Sequence, residues 1–162
     1  MYYKKLGLNS VVKNIAENKQ PQEIYRLLKF YNPDILIVTG HDGMIKKGKE
    51  YNNINNYRNS KHFIQTVIKA RQYELEENKD LVIFAGACQS YYEAIIAAGA
   101  NFASSPARIL IDFLDPLIIA QKVAITDNYK YITINEICDQ LRDGKRGIDG
   151  TGAMGKMKKI KL

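Results

Sequence analysis

Two uninterrupted apolar runs, Ile35-Leu36-Ile37-Val38 and Leu81-Val82-Ile83-Phe84-Ala85, punctuate the chain. Each is too short for a helix and neither alternates with polar residues, which predicts strands buried on both faces. An amphipathic stretch precedes each run. Ile24, Leu27, Leu28 and Tyr31 fall at helical spacing after Pro21, a residue suited to a first helical turn. Phe63, Ile64, Val67, Ile68 and Tyr73 do the same between Ser60 and Lys79-Asp80. Residues 91–98 predict another helix, stopped by Gly99, and 100–103 a short strand leading into Ser104-Ser105-Pro106. The apolar run at 11–16 reads as a strand ahead of the first helix. Residues 108–124 read as one or two helical segments divided near Asp115-Pro116, with a short strand over 123–126. Thr133 and Glu136 have capping-box spacing for a helix reaching Leu141. The Asn- and Lys-rich stretch 44–59 reads as a surface loop outside the core.

Strands alternating with helices imply an α/β fold with a mostly parallel sheet flanked by helices, in which reactive groups gather at strand carboxyl ends. A length of 162 residues suits one domain. We assign it to residues 1–142, followed by a solvated basic, Gly-rich tail over 143–162. Gly150-Thr151-Gly152-Ala153-Met154-Gly155 spells a dinucleotide-binding pattern, but no strand is predicted before it and too few residues follow for a phosphate-binding helix. No cofactor is expected. Lys and Arg outnumber Asp and Glu by 24 to 17, a net charge of +7 that admits acidic partners. No aromatic residues interleave with the basic ones of the tail, so nucleic acid is not an expected partner. No segment approaches the ~18 apolar residues of a membrane span, and no secretion signal follows Met1. Cys88 and Cys138 read as free thiols of a reducing, cytoplasmic compartment.

Both main apolar runs end in a small residue followed by a reactive one: Gly40-His41-Asp42-Gly43 and Gly86-Ala87-Cys88-Gln89-Ser90. On neighbouring strands, imidazole and thiol would share one crevice, where an imidazolium or a helix amino end raises the thiolate fraction. Taken singly, Cys88 reads equally well as a small buried hydrophobe and His41 as a turn residue. Chain order is informative, because His41 precedes Cys88, in its Ala87-Cys88 context, by 47 positions, as in caspases and unlike papain-like proteases. His62, inside a helix, reads as a surface or packing residue, and Cys138, among Ile134, Ile137 and Leu141, as a core thiol. The two His and two Cys lack paired ligand spacing, so no metal site is expected. The competing reading is a non-catalytic α/β module that binds acidic partners.

Four longer segments carry a closer likeness: Thr39-Gly40-His41-Asp42-Gly43, Asn56-Tyr57-Arg58-Asn59-Ser60-Lys61, Phe84-Ala85-Gly86-Ala87-Cys88-Gln89-Ser90-Tyr91-Tyr92-Glu93-Ala94 and Gly99-Ala100-Asn101-Phe102-Ala103-Ser104-Ser105-Pro106. In these the chain resembles the YabG family of sporulation-specific proteases of endospore-forming bacteria, whose members carry an additional N-terminal region. The resemblance implies a caspase-like three-layer sandwich and a cysteine endopeptidase with a His41–Cys88 dyad, processing spore-coat and cortex-lytic or germination proteins. It places the protein in the mother cell and the spore coat, and suggests cleavage after Arg, with self-processing at exposed basic residues. By analogy with the wider caspase, clostripain and gingipain group, the amides of Gly43 and Cys88 form the oxyanion hole. A substrate guanidinium needs a carboxylate. Asp112 is the favoured one, with Ser104 and Ser105 lining the entrance. Asp115 could serve instead or cap a helix, and Asp42 could serve or orient His41.

Overall fold

The computed structural model describes residues 7–158. Helix α1 (Gln20–Tyr31), strand β1 (Ile35–Val38), helix α2 (Ser60–Glu76), strand β2 (Val82–Ala85), helix α3 (Tyr92–Ala98) and strand β3 (Phe102–Ser104) alternate along the chain. The two runs read as buried strands are β1 and β2. They pair in parallel with Ile35 opposite Val82 and Val38 opposite Ala85, and β3 joins the other side of β2 through Phe84–Phe102 and Ala85–Ala103. Helix α4 (Asp115–Ile125) and strand β4 (Tyr131–Ile132) follow, then β5 (Ile148–Gly150) and β6 (Ala153–Met154). Strand β5 runs antiparallel against β3, giving the order β1-β2-β3-β5, and β4 pairs with β6 in a small separate sheet.

Side-chain alternation along the strands divides the interior into two layers of core. Val38, Ile83, Ala85 and Ala103 face Ile24 and Leu28 of α1, Phe63, Val67, Ala70 and Tyr73 of α2, and Ile95 of α3. Their strand neighbours Ile35, Ile37, Val82, Phe84 and Phe102 face the other way, against Ile119 and Val123 of α4, with Ile132, Ile134, Ile137, Leu141 and Ile148. The result is a mostly parallel sheet covered on both faces, which is why β1 and β2 read as continuous apolar runs. Helix α1 starts with Pro21 in its first turn and stops at Asn32, whose left-handed φ of 47° precedes Pro33.

Several expectations are corrected. Residues 11–16 form no strand; Val11 and Val12 are exposed and pair with nothing in the sheet. Helix α4 continues to Ile125, leaving no strand at 123–126, and no helix forms over 108–114. Thr133 makes no side-chain cap, and the expected last helix is two short 3-10 turns, Ile134–Glu136 and Cys138–Gln140, that tuck Ile134 and Ile137 into the core. Cys138 itself is half-buried at the rim of that layer, with Sγ near the Asn135 carbonyl rather than inside the core. The polar loop 44–59 is partly internal: Met44, Asn56 and Tyr57 are buried, and the Asn56 side chain accepts from Lys46 N–H and donates to the carbonyls of Lys46 and Lys49.

The segment from Asp143 is likewise no solvated tail over 143–158. It supplies β5 and β6, and its glycines serve close packing: a Cβ on Gly150 would overlap the Asn101 carbonyl, and one on Gly155 those of Thr126 and Asp127. A strand does lead into the Gly-rich hexapeptide, but no helix follows it among the described residues. The last four residues of the expected tail, 159–162, lie outside the described residues.

Candidate active site

His41 and Cys88 occupy equivalent places at the carboxyl ends of adjacent parallel strands, each three residues beyond the register pair Val38–Ala85. Neighbouring strands lie about 4.8 Å apart, so this register delivers the two side chains to one end of the sheet. The strand ends are tied there, with Gly86 N–H donating to Val38 O at 2.9 Å and Thr39 Oγ1 to Gly86 O at 2.9 Å. His41 is exposed and Cys88 half-buried. Cys88 is separated from α3 by a short turn, so it does not sit at the helix amino end. A turn through Gln89, at φ 57°, and Ser90 intervenes, and α3 begins at Tyr92.

The thiol lies under the backbone that follows β3. Ile111 N–H donates to Cys88 Sγ at 3.4 Å, the thiol points back at the Ile111 carbonyl at 3.9 Å, and Gln89 N–H donates to Ile109 O at 3.0 Å. These bonds tie 109–111 to the Cys88 turn in place of helical pairing. Arg108 anchors the same segment. Its guanidinium, on a side chain only 8% exposed, lies 5.6–5.7 Å from the ring centres of Tyr51, Tyr57 and Tyr91, and it bonds Tyr57 Oη, Glu93 and the carbonyls of Ser105 and Pro106. Burial opposes its charge, but Glu93 and Tyr57 outweigh that and hold its pKa above the ordinary value.

Asp42 joins the loops that leave β1 and β2. Its Oδ1 accepts from Gly43 N–H and Asn59 N–H, both at 2.8 Å, and its Oδ2 accepts from Ser60 Oγ and, at 2.8 Å, Ser90 Oγ. Ser90 Oγ in turn accepts from Ala87 N–H, and Ser60 Oγ from Tyr91 N–H, so one carboxylate fixes the turn on either side of Cys88. The four contacts leave Asp42 no role as an open pocket carboxylate.

Over residues 1–161 the sequence matches the family described as YabG peptidase U57. The chain belongs to that peptidase family. It is 42% identical over 153 residues to the sporulation-specific protease YabG of Bacillus subtilis (strain 168), an alignment covering 94% of this chain and 52% of that protein. The chain thus spans about half the length of this curated relative. No solved structure matches it.

In this YabG-family chain the other expected site residues divide. Ser104 and Ser105 are fully buried and line no entrance. Ser104 Oγ donates to Ala87 O at 2.8 Å, and Ser105 Oγ both accepts from Ile109 N–H and donates to Ile109 O. Their hydroxyls brace the Cys88 turn and the covering segment. Asp112, half-buried, directly follows Ile111 and accepts from Leu114 N–H through Oδ1. Asp115 is 3% exposed at the start of α4 and accepts from Arg142 N–H at 3.4 Å; burial pushes its pKa up, with the nearby Asp112 and Asp143 adding to the rise. Gly43 N–H is engaged by Asp42, whereas no acceptor among the described residues takes the Cys88 N–H. Sequence reasoning assigns no role to Glu17, Asn59, Ser60 and Ile111, which reach the site from distant positions, or to Ser90, whose link to Asp42 48 positions away no local pattern marks.

Proposed function

We propose that the chain is the catalytic part of a cysteine endopeptidase acting in sporulation, with Cys88 as nucleophile and His41 as its acid–base partner. The observation that carries this reading is the matched position of the two residues beyond the Val38–Ala85 pair. The Cys88 thiolate attacks the scissile carbonyl, and His41 gives a proton to the departing amine, leaving an acyl-enzyme that water hydrolyses. The free Cys88 N–H is the first oxyanion donor, and Gly43 N–H contributes where the oxyanion displaces Asp42 Oδ1. Ile111 N–H, aimed at the sulfur at 3.4 Å, helps fix the position of the nucleophile. Substrates in this reading are spore-coat and germination proteins, met in the mother cell and the spore coat. Selective alkylation of Cys88 over Cys138 by a peptide carrying an electrophilic warhead tests it; equal labelling of both thiols favours the binding-module reading.

Cleavage after Arg is part of the same proposal, with Asp112 as the carboxylate that meets the guanidinium, since it adjoins the residue touching Sγ. Asp115 stands behind it as the second candidate. Leaving a substrate Arg unpaired costs about 3 to 5 kcal/mol, or roughly two to four powers of ten in preference. Asp112→Asn is therefore expected to lose most of the discrimination between matched Arg and Gln peptides, measured as the ratio of kcat/KM. An unchanged ratio moves the pocket elsewhere.

A further inference from the structure

The strand end bearing His41 is gripped from both sides of its backbone. Asn59 Nδ2 donates to His41 O at 2.7 Å, and His41 N–H donates to Glu17 Oε1 at 2.7 Å. Glu17 lies in the 3-10 turn Glu17–Lys19 ahead of α1, and Gln20 docks that turn by donating to Thr39 O at 2.9 Å. The approach depends on Gly40. A Cβ there would overlap the Glu17 carboxylate and come within 2.9 Å of its Cγ and Cδ, yet Gly40 has no left-handed φ that would itself demand glycine. Its missing side chain makes room for Glu17.

From this geometry we infer that Glu17 is a positioning residue of the active site, holding His41 in register with Cys88 through the His41 N–H. The inference rests on the His41–Cys88 reading. Burial alone would push the Glu17 carboxyl up, but the His41 N–H, its own N–H, and the His41 and His62 rings outweigh that and lower its pKa, so it stays ionised as an acceptor at neutral pH.

Gly40 provides a second way to remove the contact without touching Glu17. The obstructed atoms belong to a flexible side chain, so Gly40→Ala swings the carboxylate aside rather than breaking the fold. Glu17→Ala and Gly40→Ala are each expected to lower kcat about 10- to 100-fold on a fluorogenic peptide, with KM within about twofold and the thermal midpoint nearly unchanged, because a misplacement of about 1 Å costs that much. Glu17→Gln, which keeps an acceptor oxygen, is expected to retain most of kcat. The double variant Glu17→Ala/Gly40→Ala should fall no further than either single change, since both remove one contact. Wild-type kcat in Glu17→Ala, an equal loss in Glu17→Gln, or additive losses in the double variant would each overturn the inference. His41→Ala, run alongside, separates the two levels. If it is inactive while Glu17→Ala keeps the wild-type kcat, only the role of Glu17 falls; if it is active, the dyad falls too.

Discussion

Replacing Cys88 or His41 by Ala is expected to abolish peptide hydrolysis, by roughly 10⁴-fold or more, while the chain remains folded. The size follows from the proposed mechanism, in which each residue makes or breaks a bond that no neighbour can take over. The preserved fold follows from position. His41 is exposed, Cys88 half-buried, and neither belongs to the two core layers. Cys138→Ala should hydrolyse at the wild-type rate, since that thiol bonds only the Asn135 carbonyl and Asp139 and touches neither His41 nor Cys88 among the described residues. The measurement is steady-state kinetics beside far-ultraviolet circular dichroism. Full activity in Cys88→Ala would remove the proposed nucleophile.

Asp42→Ala is expected to differ in kind, losing stability and activity together. The carboxylate satisfies two backbone N–H groups and two serine hydroxyls, and those hydroxyls also hold the amides of Ala87 and Tyr91. Orphaning several half-buried donors at once costs about 3 kcal/mol, read as a shift in the denaturant midpoint. The Cys88 turn loosens with it, so alkylation of Cys88 should lose its selectivity over Cys138. Asp42→Asn should fall between, as its amide accepts through one oxygen instead of two. An unfolding free energy within about 0.5 kcal/mol of wild type would show the network to be dispensable.

The parts of this molecule that local pattern can encode were legible in the sequence. Strands β1 and β2 are uninterrupted because both faces are covered, α2 shows its buried stripe at Phe63, Val67, Ala70 and Tyr73, and the reactive residues follow strand ends by a fixed short distance. What failed depended on partners far along the chain. The run at 11–16 has the composition of a strand, yet β1 lies at the edge of the sheet and no strand pairs with its outer side among the described residues. The capping-box spelling at Thr133 found no partner, and two short turns carry Ile134 and Ile137 into the core instead. Gly and Lys from 143 onward suggested solvation, whereas the glycines are there because backbones cross closely. Within the site, the neighbouring His41 suggested that Asp42 orients an imidazole. Its oxygens are instead taken by residues 17, 18 and 48 positions away as well as by Gly43, a set of partners that no local spacing announces.

Strand β5 bears on how the molecule avoids self-association. Strand β3 ends the parallel part of the sheet, and without Ile148–Gly150 its outer row of N–H and C=O groups would lie bare beside Phe102. An uncovered edge of that kind templates the addition of further chains. Shortening the protein to residue 142, which composition alone would recommend, should therefore produce aggregates on size-exclusion chromatography, whereas the full chain should elute as a single species. On this view the C-terminal segment shields the β3 edge from pairing with other chains.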